Sequence, residues 1–143
     1  MEIRPATESD LPALERLWED FTDEATFTPY PGSPFDPALV RDFVVLVADG
    51  NDGIEGTLYA NVGDADFGFV FGVYVRPDAR RRGVARTLMQ TVARTLKAEG
   101  RGHVVLSVDT PNEPARRFYA SLGFEDAART LRAPVDAIVE PTK

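Results

Sequence analysis

The chain has 143 residues, of which 43% are hydrophobic, and this is enough for one domain with a buried core. Its formal net charge of −7 disfavours nucleic-acid binding, which depends on broad positive potential. Cysteine is absent, so disulfides, thiolate metal sites and a cysteine nucleophile are excluded. No apolar run approaches the roughly 20 residues that span a bilayer, and the first residues lack a signal-peptide core. We therefore expect one domain over residues 1–143, in the cytoplasm and away from membranes.

The first part of the chain predicts a short strand at Ile3, a helix capped by Thr7 or Ser9, and a loop. The apolar face of the helix consists of Leu11, Leu14, Leu17, Trp18 and Phe21. Residues 22–37 contain four prolines, which exclude a long helix or a central strand there. The aromatic residues of this loop, such as Phe27 and Tyr30, either pack on the core or line a substrate site. A short helix capped by Asp36 is expected to follow.

A β-hairpin and a long strand are predicted next. Phe43–Ala48 and Ile54–Val62 form the hairpin around a turn at residues 49–53. The long strand, Phe67–Val75, alternates between two faces. One face carries Phe67, Phe69, Phe71, Val73 and Val75, and the other carries Gly68, Val70, Gly72 and Tyr74. The two glycines indicate a bulge or a close approach by another group.

The remaining elements complete an α/β pattern. A helical stripe is formed by Val84, Leu88, Val92 and Leu96, and Gly100 is expected to end that helix. Val104–Val108 predicts a central strand, parallel to the strand before the helix. Pro114 opens another helix, a strand pair is expected around Leu131, and the tail beyond it is irregular or partly helical. The order of elements predicts a mixed sheet flanked by about four helices.

Residues 73–88 combine a strand, a proline turn, three arginines, a glycine and a helix start. Backbone N–H groups at such a turn can point at phosphate oxygens, and the helix dipole favours negative charge there. Arginines add charge-assisted hydrogen bonds. This stretch therefore predicts a site for a phosphorylated ligand.

Two motifs resemble those of the GNAT acyltransferase superfamily. Arg80–Ala85 matches (Gln/Arg)-x-x-Gly-x-(Gly/Ala), and residues 112–124 match Asn-x-x-Ala-x-x-Phe-Tyr-x-x-x-Gly-Phe. The opening Ile3–Thr7, with Asp10 beyond it, is also similar, so the resemblance covers essentially the whole chain. It implies a largely antiparallel, twisted sheet with a parallel, splayed central strand pair.

The resemblance implies an N-acetyltransferase that moves acetyl from acetyl-CoA, without a metal, to a primary amine of a small molecule or peptide. Direct transfer in a ternary complex is implied, since there is no cysteine to carry the acyl group. The implied cofactor-binding residues are Val73, Tyr74, Val75, Arg80, Arg81, Arg82, Gly83, Val84, Ala85, Arg86, Asn112, Ala115 and Phe118. Among them, Asn112 either contacts the pantetheine amide or is a plain turn residue.

The same resemblance offers Tyr119 as the general acid for the departing thiolate, unless it is a core aromatic. The general base is harder to place, because the long strand has no acid. Asp109 is a weak candidate, and its position before Thr110 and Pro111 favours a turn-initiating aspartate instead. Tyr74 joins Phe27 and Tyr30 as a candidate substrate-binding residue. Since an alkyl amine of pKa ~10.4 needs a base, the missing acid favours a weakly basic acceptor, such as an α-amino group or an aryl amine.

Two alternatives stay open beside the enzyme. The same fold could bind acyl-CoA without turnover, as a sensor or interaction module, or the arginine cluster could bind nucleic acid, which the net charge of −7 disfavours. A homodimer is compatible with the sequence. The single histidine, His103, is expected to be structural, and with no cysteine present no metal site is indicated.

Overall fold

The computed structural model describes residues 1–25 and 33–140. Contacts within the chain divide it into two compact units, Met1–Asp109 and Thr110–Lys143. In the first unit lie β1 (Glu2–Pro5), α1 (Leu11–Glu24), α2 (Leu39–Asp42), β2 (Val44–Gly50), β3 (Gly53–Val62), β4 (Phe67–Val75), α3 (Val84–Ala98) and β5 (His103–Leu106). In the second lie α4 (Glu113–Ser121) and α5 (Val135–Val139). Short 3₁₀ turns cover Glu8–Asp10 and Pro77–Ala79.

The five strands form one sheet in the order β1-β2-β3-β4-β5. The first four pair antiparallel with their neighbours, whereas β4 and β5 are parallel. This confirms the predicted mixed α/β fold. The expected central position of the strand after α3 is wrong for the described residues, because β5 lies at the edge of the sheet. Its edge position leaves Val105 40% exposed.

Two long helices pack against the sheet. Leu14 and Trp18 of α1 form a buried cluster with Val47 and Tyr59 of the sheet. On β3, Gly56 points the other way from Tyr59 by strand alternation. A Cβ on Gly56 would lie 3.1 Å from Val84 of α3. The sheet is therefore covered by α1 on one face and by α3 on the other.

The two glycines of β4 both mark close approaches, as their pattern predicted. A Cβ on Gly68 would lie 2.8 Å from a methyl carbon of Leu96 in α3. A Cβ on Gly72 would lie 2.7 Å from Cδ1 of Tyr59. Gly72 also has φ 61°, a value that side chains disfavour.

Gly72 belongs to a β-bulge. Tyr59 of β3 stands opposite Phe71, and Thr57 stands opposite Tyr74, so β4 has one extra residue between these pairs. An extra residue reverses the alternation of every side chain beyond it.

The bulge turns Tyr74 toward α1. Phe71 stacks on Tyr59, with ring centroids 5.4 Å apart, and Tyr74 meets the ring of Phe21 in α1 at 6.4 Å. Phe71 and Tyr74 thus lie on the same face of the sheet. Their predicted placement on opposite faces is wrong, because strict alternation assumes a regular strand.

The second unit contains two helices among its described residues. Asn112 caps α4, and Gly123, with φ 102°, follows the end of that helix. The strand pair expected around Leu131 is absent, since residues 122–134 form neither strand nor helix. Leu131 is 86% exposed. The partly helical tail is confirmed by α5.

Candidate active site

The connection from β4 to α3 contains two residues with left-handed backbone, Arg81 at φ 64° and Gly83 at φ 80°. A left-handed residue other than glycine is energetically costly and occurs often at ligand sites. Successive residues of differing handedness can also turn backbone N–H groups into one concavity, which suits an anion. Arg81, Arg82 and Gly83 are all exposed to solvent.

Gly83 is the N-cap of α3, a helix of 15 residues. Its carbonyl oxygen accepts hydrogen bonds from the backbone N–H and the hydroxyl of Thr87, at 3.0 and 2.8 Å. The first N–H groups of any helix have no acceptor within the helix, and the dipole makes this end positive. Apart from its chain neighbours, no atom of the described residues lies within 4 Å of the position a Gly83 Cβ would take, so the space before the helix is open. The arrangement fits a phosphate group.

The parallel strands β4 and β5 separate beside this turn. Their register runs only from Phe67 opposite His103 to Val70 opposite Leu106, whereas β4 continues to Val75. The last part of β4 is therefore paired with β3 on one side and not with β5 on the other. This agrees with the splayed pair that the family resemblance implied.

A carboxylate lies against the end of β4. It belongs to Glu24, the last residue of α1, and its Oε2 accepts a hydrogen bond from the hydroxyl of Tyr74. Nη2 of Arg80 donates to both oxygens of Glu24, at 2.9 and 3.1 Å. The guanidinium carbon of Arg80 lies 5.3 Å from the centroid of the Tyr74 ring, and its Nε donates to the carbonyl of Val75 at 2.8 Å.

These contacts set the charges of the cluster. Partial burial raises the pKa of Glu24, but the hydrogen bonds from Tyr74 and Arg80 outweigh it, so the pKa lies below its ordinary value. Burial, reinforced by the Glu24 carboxylate, raises the pKa of Tyr74. At neutral pH, Glu24 is therefore ionised and Tyr74 keeps its proton.

The structure gives Arg80 a different contact from the one predicted for it. Its guanidinium is engaged with Glu24 and Val75, while Arg81 and Arg82 project from the exposed turn. Glu24 was not predicted from the sequence as a site residue. The signal was available, because Glu24 follows Leu17 and Phe21 at helical spacing, where the apolar stripe predicts another apolar residue.

The second unit holds the other motif. The side-chain oxygen of Asn112 accepts the N–H of Ala115 at 3.2 Å, which is a structural role at the start of α4. The ring of Tyr119 lies 5.2 Å from that of Phe118 and 5.6 Å from that of Phe124. Burial raises the pKa of Tyr119 to about 12.

The remaining candidates are placed as follows. Asp109 is half-buried and lies beyond the end of β5. His103 contacts Asp66 through Nδ1 at 2.9 Å, which links β5 to the start of β4, as expected of a structural histidine. Phe27 and Tyr30 lie outside the described residues, so their substrate-binding role stays a prediction.

Neither a membrane-spanning helix nor a cluster of metal ligands occurs among the described residues. None of the helices there has both the length and the apolar character needed to cross a membrane. Across residues 1–25 and 33–140, no three His, Cys, Asp or Glu side chains come together as ligands for a metal ion.

Solved acetyltransferases share this fold. A ribosomal-protein-alanine N-acetyltransferase from Brucella melitensis superposes with a TM-score of 0.76 at 23% identity, covering 90% of this chain and 86% of that one. A putative acetyltransferase from Agrobacterium tumefaciens gives a TM-score of 0.76 at 20% identity, covering 94% and 99%. At these sequence identities, the structural similarity shows the fold alone and does not show the substrate.

Sequence comparison defines the family. The pattern described as "Acetyltransferase (GNAT) family" matches residues 11–124, so the chain belongs to the GNAT family and is an N-acetyltransferase. The peptidyl-lysine N-acetyltransferase YiaC of Escherichia coli is 32% identical, over 85% of this chain and 82% of its own length. The phosphinothricin N-acetyltransferase of Streptomyces viridochromogenes is 30% identical, over 93% of this chain and 78% of its own length. GNAT acetyltransferases use acetyl-CoA as co-substrate.

Proposed function

We propose that this protein moves the acetyl group of acetyl-CoA directly to a primary amine of a small molecule or peptide. The observation that supports this most is the exposed turn with left-handed Arg81 and Gly83, which opens α3 beside the separated end of β4. Two relatives are named for the N-acetylation of peptidyl lysine and of phosphinothricin, and both names agree with an amine acceptor.

In this proposal the turn holds the phosphates. Backbone N–H groups between Arg81 and Arg86 bind the pyrophosphate, and the dipole of α3 adds favourable potential. The exposed guanidinium groups of Arg81 and Arg82 reach the 3′-phosphate of CoA. Since the side chain of Arg80 is bonded to Glu24, the proposal does not depend on it.

The end of β4 holds the reactive part. Backbone groups of Val73 and Val75 line the pantetheine arm and the thioester, on the side where β5 has separated. An N–H aimed at the thioester oxygen stabilises the negative charge that develops there. The neutral amine nitrogen bonds to the carbonyl carbon, the carbon–sulfur bond breaks, and the proton that the nitrogen loses passes through solvent to the departing thiolate. Tyr119 is the proposed hydrogen-bond donor to that thiolate.

A matched pair of glycine variants tests the phosphate site. Gly83→Glu places a carboxylate where the phosphates are expected, and we predict a CoA affinity weakened at least about tenfold, or ~1.4 kcal/mol. Gly100→Glu is the control, because Gly100 also has positive φ, at 77°, and equally open surroundings, but follows the other end of α3. The measurement is calorimetric titration with CoA.

The two outcomes that count against the proposal are distinct. Equal affinities for Gly83→Glu and Gly100→Glu would remove the phosphates from this turn. A parent protein that binds no CoA at high micromolar concentration would overturn the acetyltransferase proposal itself.

A further inference from the structure

We propose that Glu24 and Tyr74 form a subsite for the positive charge of the acceptor amine, and that the guanidinium of Arg80 occupies this subsite until an acceptor arrives. The inference rests on the proposed function, because it assigns a substrate class to the same site.

The contacts of Arg80 show what the subsite recognises. Its guanidinium lies between the two oxygens of Glu24 and the face of the Tyr74 ring. A carboxylate beside an aromatic face attracts cations, through charge on one side and the ring quadrupole on the other. Any ammonium group that displaces Arg80 finds the same two partners.

The position of the subsite matches the proposed chemistry. Tyr74 lies between Val73 and Val75, whose backbone we propose to hold the thioester. The Glu24 carboxylate is bonded to the Tyr74 hydroxyl, so one tyrosine side chain separates it from that backbone. A cation bound there brings an amine to the end of β4.

The internal occupant can be displaced. The side chains of Arg80 and Glu24 are 42% and 48% exposed, and solvent weakens ion pairs of this kind. Release of Arg80 breaks its hydrogen bonds to Glu24 and to the carbonyl of Val75. Glu24 remains held by Tyr74, which fixes the carboxylate for the incoming cation.

This subsite favours amines that are cationic at neutral pH, such as alkyl amines and α-amino groups, over the neutral aryl amines that the missing acid on β4 also suggested. It assigns to Glu24 the binding and orientation of the ammonium form, which releases one proton to solvent before its nitrogen attacks, and not the removal of that proton. The hydrogen bonds from Tyr74 and Arg80 keep the pKa of Glu24 low, which makes its carboxylate a weak base.

The test is a binding measurement with two simple probes, n-pentylammonium and the neutral isostere 1-pentanol. Titrations followed by NMR are run on the full chain, with and without CoA. We expect n-pentylammonium to bind more tightly than 1-pentanol and to shift the resonances of Glu24 and Tyr74. Glu24→Gln is expected to weaken n-pentylammonium binding at least about tenfold.

Two further variants make the result specific. Asp23→Asn removes an exposed carboxylate one position earlier on α1, and we expect it to leave the affinity unchanged. Arg80→Gln removes the internal competitor, so n-pentylammonium is expected to bind about threefold or more tightly. A misfolded variant could not produce that gain.

The inference is overturned if the two probes bind equally, if n-pentylammonium does not bind, or if Glu24→Gln and Asp23→Asn behave alike. These results concern the acceptor alone. Failure of the proposed function is read separately, from the absence of CoA binding by the parent protein.

Discussion

The raised pKa of Tyr119, which is half-buried, limits what its hydroxyl can do. Its pKa of about 12 exceeds the value near 8.5 of a thiol by roughly 3.5 units. Complete proton transfer to a thiolate would therefore cost ~5 kcal/mol. A hydrogen bond from the neutral hydroxyl stabilises the same leaving group without that cost, and this is the role we assign to Tyr119.

Replacement of Tyr119 by Phe is expected to lower kcat about tenfold, because one hydrogen bond to a charged group is worth ~1.5 kcal/mol or more. The KM for acetyl-CoA should stay close to that of the parent. Steady-state kinetics with an amine that the parent acetylates give both values.

Tyr59→Phe is the control for Tyr119→Phe, since it also removes a tyrosine hydroxyl, one that is buried and has no hydrogen-bond partner among the described residues. We expect Tyr59→Phe to keep the parent kcat. If both variants keep it, Tyr119 is a structural aromatic.

At single positions, the turn before α3 was easier to predict from the sequence than the contact between Glu24 and Tyr74. Gly83 and its arginines form a local pattern, and local backbone chemistry is readable from residue types. The contact between Glu24 and Tyr74 joins residues 50 positions apart, and no local pattern reports it.

Among the elements, β4 shows most clearly which features the sequence pattern predicts correctly and which it does not. Its limits, Phe67–Val75, agree with the prediction, because the apolar run is bounded by turn residues. The face on which Tyr74 lies was predicted wrongly, because the bulge at Gly72 adds one residue. Glycine in a strand signals a bulge without giving its position, and that position decides which side chains reach α1.

Gly72→Ala is therefore expected to destabilise the fold strongly. The added Cβ meets the Tyr59 ring at 2.7 Å, and the φ of 61° is unfavourable for alanine. We predict a loss of ~2 kcal/mol or more in the free energy of unfolding, measured by urea denaturation.

Gly63→Ala is the matched control in the turn before β4, where the new Cβ has no atom within 4 Å in the described part of the chain, its sequence neighbours apart. It should unfold within ~0.5 kcal/mol of the parent. Equal unfolding free energies for the two variants would mean that β4 adopts a regular strand at Gly72.

For the molecule as a whole, the mixed sheet was predictable and its edges were not. Long periodic segments predicted the helices and the strand before α3. A helix between two strands predicted that these strands pair in parallel. The predicted strand pair around Leu131 and the central position of β5 failed together. Short apolar runs do not predict which strands pair, because strand formation depends on contacts with residues distant in sequence.

A charged network joins distant parts of the first unit. Arg4 on β1 donates to both oxygens of Asp10, at 2.8 and 3.0 Å, and to Asp49 of β2 at 3.1 Å. The backbone N–H of Thr7 donates to Asp10 at 2.8 Å. Only 7% of Asp10 is exposed, so the network lies at the junction where β1 leads into α1.

This network predicts how stability depends on pH. The hydrogen bond from Arg4, aided by Thr7, outweighs burial and lowers the pKa of Asp10 from 3.8 to about 2. The unfolded chain therefore binds a proton at higher pH than the folded one. The stabilisation is complete above about pH 4 and is lost as the pH falls toward 2, by up to ~2 kcal/mol.

Urea unfolding at pH 5 and pH 2.5 measures this loss of stability, with Asp10→Asn beside the parent to separate this carboxyl from the others. The difference in unfolding free energy between parent and Asp10→Asn should shrink between the two pH values. Asp64→Asn, changed in an exposed turn, controls for net charge. A difference for Asp10→Asn that is equally large at both pH values would show that protonation of Asp10 does not weaken the fold.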